Sequence, residues 1–125
     1  MDLIDQQFDD LVELYREAKI ERLADGRRLI TIPGFPLPSG WNATNTTIHF
    51  NVPVGYPMAR PDTFWADETL RLASGATPAN TNFNTNYGGA QPKLWFSYHP
   101  QSWNPNVDDL RTYVRVIRRR LHQVQ

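Results

Sequence analysis

The stretch WFSYHPQSWNPNVDDL, Trp95–Leu110, holds two tryptophans, a tyrosine, a histidine and two prolines directly ahead of a segment with helical periodicity. Each aromatic ring can bury a large area, which a chain of 125 residues can hardly leave in water. Trp95, Phe96, Tyr98 and Trp103 therefore read as core or as packed against it. Downstream, Leu110, Tyr113, Val114, Ile117 and Leu121 form an apolar stripe at helical spacing, with Arg111, Arg115, Arg118 and Arg119 opposite. Asn104 or Asn106 would cap this helix, and Pro105 suits its first turn.

Working back toward the N-terminus, Ile4, Phe8, Leu11, Val12, Tyr15 and Ala18 sit at helical spacing, with acids early and basic residues later as the helix dipole prefers. This predicts one amphipathic helix over 2–24, ended by Asp25-Gly26. RRLITIP then reads as a strand, and TTIHFNVP as a second with Ile48, Phe50 and Val52 on one face; the loop GFPLPSGWNATN makes them a wide hairpin. DTFWA, after Pro61, is a third strand. The stretch SGATPANTNFNTNYGGA is polar, has no sustained period and reads as a long ordered loop. The fold class is thus α+β, and the length suits a single domain over 1–125.

Thirteen basic residues balance thirteen acidic ones, so no overall field draws the chain to nucleic acid or an anionic membrane. The charge is segregated, however. Residues 1–25 carry eight acids against Arg16, Lys19 and Arg22, an excess of five, while the last nineteen residues carry five arginines against Asp108 and Asp109. A basic stripe near aromatic rings is one footprint of single-stranded nucleic acid. The zero net charge and the dipole's preference for cations at a helix C-terminus favour a solvated face instead. No apolar run approaches the roughly 20 residues of a membrane span, and the acidic N-terminus is unlike a signal peptide. With no cysteine, the expected setting is the cytoplasm.

The same lack rules out disulfides, thiolate metal sites and thioesters on this chain. His49, His99 and His122 have neither the spacing nor the acidic companions of a metal site, and no cofactor motif occurs. Neither Ser74 nor Ser97 lies in a nucleophile elbow. His99 is the one polar group of the aromatic stretch able to act as a base. By order along the chain its nearest polar partners are Ser97, Tyr98, Asn80 and Tyr87, and orienting the loop is the alternative role.

The order helix, strands, GYPMARP, strand, long loop and an aromatic stretch before a closing helix resembles the ubiquitin-conjugating-enzyme fold. Tyr56, Pro57 and Pro61 match that family's Tyr-Pro-x-x-x-Pro element, and Trp103-Asn104-Pro105 its Trp-x-Pro. The chain resembles in particular the bacterial ubiquitin-conjugating-like proteins of prokaryotic family E. The resemblance implies a meander of strands between two helices, and a catalytic cysteine near Leu94, Trp95 or Phe96, where this sequence has none. Pro78-Ala79-Asn80 is similar to the family's asparagine-bearing flap but lacks its histidine, and His99-Pro100 follows the nucleophile's place rather than preceding it. Asn80, Tyr87, Leu94, Trp95, Phe96, Ser97 and Trp103 would then mark a vestigial active-site region.

Exchanging thioesters at neutral pH needs a thiolate, because a Ser or Tyr hydroxyl is far too basic without a dedicated base. The resemblance therefore implies a catalytically silent protein of a bacterial ubiquitin-like pathway. Its partners would be a ubiquitin-like protein, the activating enzyme and a JAB-type metallopeptidase. The polar face of the first helix, Asp9, Asp10, Glu13 and Glu17, would be the contact for the activating enzyme. Two rivals stand beside it: an enzyme using His99 as general base in a non-thioester acyl transfer or hydrolysis, and a scaffold dimerising through its helices.

Overall fold

The computed structural model describes residues 2–125. Among them the elements run α1 (Leu3–Leu14), β1 (Lys19–Arg22), β2 (Arg28–Pro36), β3 (Asn45–Val52), β4 (Phe64–Ala66), β5 (Thr81–Asn84), β6 (Lys93–Phe96) and α2 (Leu110–His122). Every strand pairing is antiparallel and the sheet order is β1-β2-β3-β4-β6-β5. The first four strands form a meander, and the β5–β6 hairpin joins it through β6. This is the α+β, ubiquitin-conjugating-like architecture expected from the sequence.

Alternation decides which side chains enter the core. On β3, Ile48, Phe50 and Val52 are buried, and they meet Ile30 and Ile32 of β2, Phe64 of β4, and Leu94 and Phe96 of β6. Leu11 of α1 and Leu110, Tyr113, Val114, Ile117 and Leu121 of α2 close the same face, as the helical stripe predicts. The opposite face carries a smaller cluster of Leu29, Trp65 and Tyr87, with Leu23 and Trp95 against it.

Polar ties fix the helices. Asp2 caps α1 by accepting from the Asp5 amide, and Arg28 donates to Asp2 (3.0 Å) and Asp5 (3.4 Å), pinning the helix start to β2. The Tyr56 hydroxyl donates to Gln7 Oε1, which also accepts the Leu110 amide at 3.2 Å, so the Tyr-Pro loop, α1 and the start of α2 share one acceptor. Arg120 is only 3 % exposed. Its guanidinium donates to the main-chain oxygens of Ala79, Gln123 and Gln125 and lies 5.0 Å from the Phe96 ring centroid.

Several boundaries differ from the sequence reading: β2 runs on to Pro36, into the expected loop, and β4 is shortened to Phe64–Ala66. The first helix stops at Leu14, and Lys19–Arg22 pair with Arg28–Thr31 as a strand; Asp25-Gly26 makes the hairpin turn, with Gly26 at φ +93°. The long loop contains β5, because backbone pairing with β6 overrides the weak strand preference of its asparagines. Finally, Asn104–Val107 form a separate turn, and α2 is capped by Asp109 in a reciprocal capping box with Thr112.

Candidate functional site

β6 ends at Phe96, where the Tyr98 amide turns back onto the Phe96 carbonyl at 3.1 Å, and the chain runs on through Ser97–Pro100. Leu94 and Phe96 point into the core and are fully buried, Phe96 stacked on Phe64 with centroids 4.7 Å apart. Trp95, Ser97 and His99 take the other side, lining a groove of about 520 Å³ on the sheet face away from the helices. Trp65, opposite Trp95 in the β4–β6 register, gives the groove its second indole. The end of β5 and the chain after it build one rim: Trp65 Nε1 donates to Asn84 Oδ1 (2.8 Å), and Arg27 donates to the Asn86 carbonyl (3.0 Å).

His99 finds its partner across the groove. Its Nδ1 lies 2.8 Å from Asp62 Oδ1, and Arg60 approaches the same carboxylate oxygen at 3.4 Å. Both residues adjoin buried prolines, Pro61 before Asp62 and Pro100 after His99, which anchor the two segments while both side chains stay half exposed. A carboxylate on Nδ1 selects the tautomer protonated there and leaves Nε2 as the free base, the arrangement of an oriented general base. None of Ser97, Tyr98, Asn80 or Tyr87 is that partner.

The other residues singled out by sequence are dispersed. Asn80 stands at φ +58° in the turn before β5 and meets the segment only through its carbonyl, which accepts the Ser97 amide at 2.9 Å. Tyr87 packs on the groove's sheet face but against His49 (centroids 5.0 Å apart) and Trp65 (5.9 Å), its hydroxyl donating to the Gln91 carbonyl. Trp103 is half buried outside the groove, against Tyr56, and donates to the Pro57 carbonyl at 2.9 Å. Asp9, Asp10 and Glu13 are exposed on α1, whereas Glu17 lies beyond the helix end.

Asp62 and Arg60 lie far from His99 along the chain, so order alone does not reveal them. The signal was the strand pairing. With Phe64 opposite Phe96 and the strands antiparallel, Asp62 falls beside the residues just past β6. Pairing DTFWA with KLWF would have exposed it.

The site has an oriented imidazole, a carboxylate and two indoles, and it lacks any thiol. It can move a proton; it cannot hold a thioester. Among curated proteins and among solved structures nothing matches the chain. The family model for prokaryotic E2 family E does match, over residues 5–124, which takes in every strand and all but the first two residues of the leading helix. The chain therefore belongs to prokaryotic E2 family E.

Proposed function

We propose that this protein works in a bacterial ubiquitin-like pathway of the cytoplasm as a binding member that carries no thioester. It docks the ubiquitin-like protein, the activating enzyme or both. The observation that carries this reading is the pairing of a family match over residues 5–124 with a chain free of cysteine. Where the family's thiol is expected, Leu94 and Phe96 are fully buried and Trp95 lines the outer groove, and none of the three side chains is a nucleophile.

The exposed acids of α1, Asp9, Asp10 and Glu13, with Glu17 just beyond, are the proposed contact for the activating enzyme. Reversing Asp10, Glu13 and Glu17 to lysine should lower the association rate with that enzyme, and the loss should shrink as salt screens the charges. An unchanged association rate at low salt in a folded variant would remove α1 from the interface.

The His99–Asp62 pair favours a second reading, a base acting on an acyl adduct held by a partner. Nε2 would take the proton of an attacking water or amine as its oxygen or nitrogen bonds to the acyl carbon; the leaving group departs and takes the proton back from the imidazolium. Turnover of a preformed acyl-partner conjugate by wild type, lost in His99→Ala and weakened in Asp62→Asn, would establish it. Equal turnover by His99→Ala and wild type would eliminate it.

A further inference from the structure

A second concavity lies on the helical side of the sheet. α1 ends at Leu14, short of its expected length, and β2 shifts register between Ile32 and Phe35. Together they leave a cleft of about 570 Å³ between the end of α1, this irregular stretch and the outward face of α2. Its floor is apolar: Leu11, Tyr15 and Val114 lie below, Pro33 and Pro36 form one wall, and Leu14 stands at the edge with 64 % of its surface exposed.

Its rim is basic. Arg111, Arg115 and Arg118 recur at intervals of four and three residues along α2, and Arg16 faces them from the chain leaving α1. Against these four cations the cleft holds one acid, Glu17, a balance of plus three. Arg111 pairs with Asp109 at 3.2 Å. Arg115 reaches only the Thr112 hydroxyl (3.3 Å) and Arg118 only the Tyr15 hydroxyl (3.0 Å), and neither they nor Arg16 has an ion pair among the described residues. Three exposed guanidinium groups without an ion pair, beside an exposed leucine, are complementary to an acidic ligand with an apolar anchor.

We propose that this cleft is a docking site for an acidic linear peptide segment of a partner protein, with an apolar residue seated on Leu14, Val114 and the two prolines, and carboxylates on Arg115 and Arg118. The cleft volume lies within the range of small-ligand sites and holds a few side chains rather than a folded domain. A nucleic-acid strand fits less well: the cleft has a single aromatic ring, Tyr15, and one face of it is already stacked on Phe35 at 5.5 Å, which leaves no series of rings for successive bases. The proposal does not depend on the pathway assignment: the cleft shares no residue with the His99 groove, and of the acids proposed for the activating enzyme it includes only Glu17.

The test is selection of a random dodecamer peptide display library on the wild-type protein, with counter-selection on Arg115→Glu/Arg118→Glu. Winners are then measured by fluorescence anisotropy. The proposal expects enriched peptides rich in Asp and Glu with a conserved Leu, Ile or Phe. Their affinity should fall at least tenfold with the double charge reversal and several-fold with Leu14→Ser, and should stay unchanged in Arg119→Glu, which lies outside the cleft. Thermal melting of each variant confirms folding. Enrichment without acids, equal binding to the double reversal, poly(U) RNA bound as tightly as the peptides, or displacement of the peptides by self-association would each overturn it.

Discussion

Tyr113→Phe should make the protein more stable. Tyr113 is 0 % exposed, and its hydroxyl is one of two buried side-chain atoms with no hydrogen-bond partner among the described residues. Burial pushes its phenol well above the ordinary tyrosine value, and the nearby Asp62 charge pushes in the same direction. An unpaired buried hydroxyl costs about 1–3 kcal/mol. The ring's packing on Phe50, with centroids 5.0 Å apart, survives in phenylalanine. The void left by one oxygen costs a few tenths of a kcal/mol at about 24 cal/mol per Å³. The balance is a gain of about 1–2 kcal/mol, roughly 3–8 °C in melting temperature for a domain of this size. Urea unfolding followed by tryptophan fluorescence reads it directly. A variant destabilised by more than about 0.5 kcal/mol would mean that the hydroxyl has a partner, such as a bound water, and that its burial stabilises the core.

Trp103→Ala should cost about 2–3 kcal/mol, below the range for a fully buried aromatic because Trp103 is only half buried, with the lost bond to the Pro57 carbonyl included; a change under 0.5 kcal/mol in urea unfolding would assign it to a partner surface instead. His49 is held below the ordinary histidine value, first by burial and then by Lys93. Its neutral form is favoured by folding, so this contribution is complete above about pH 6.5 and is lost as pH falls through that value toward the lowered folded one. Urea midpoints between pH 5 and 7.5 should drop on the acid side in wild type and drop less in His49→Gln; parallel profiles would contradict the assignment. Arg120→Met should destabilise by about 2 kcal/mol, since hydrogen bonds to three main-chain oxygens and the contact with Phe96 outweigh the relief of a buried charge. A neutral or stabilising outcome would reverse that ranking.

Where a single periodicity governed a segment, the sequence was legible. The alternation of Ile48, Phe50 and Val52 and the stripe from Leu110 to Leu121 place the same side chains in the core that the structure does. Where two signals overlapped, it was not. Asp25-Gly26 serves equally as a helix stop and as a hairpin turn, and the short segment after Tyr15 could extend a helix or pair as an edge strand. The pairing of Ile20 with Ile30 settles it through a contact no local window contains. The strand Thr81–Asn84 is hidden in the sequence because its asparagines have weak strand preference and it lies at the sheet edge, paired only with β6. Arg120 stands in a run of three arginines, Arg118–Arg120, which masks its separate place. Its place seven residues after Tyr113 and three after Ile117 puts it on the buried stripe, so that periodicity, followed strictly, marked it as inward. The His99–Asp62 contact joins residues 37 apart and depended on a strand pairing not yet assigned.

The most direct test of the central claim, an E2-like protein that binds its pathway without accepting a thioester, is size-exclusion chromatography with denaturing gels of this chain mixed with its cognate activating enzyme, ubiquitin-like protein and ATP. The account predicts co-elution with one or both partners and no covalent adduct on this chain. No co-elution at micromolar concentrations, or a hydroxylamine-labile ester on this chain, would contradict it.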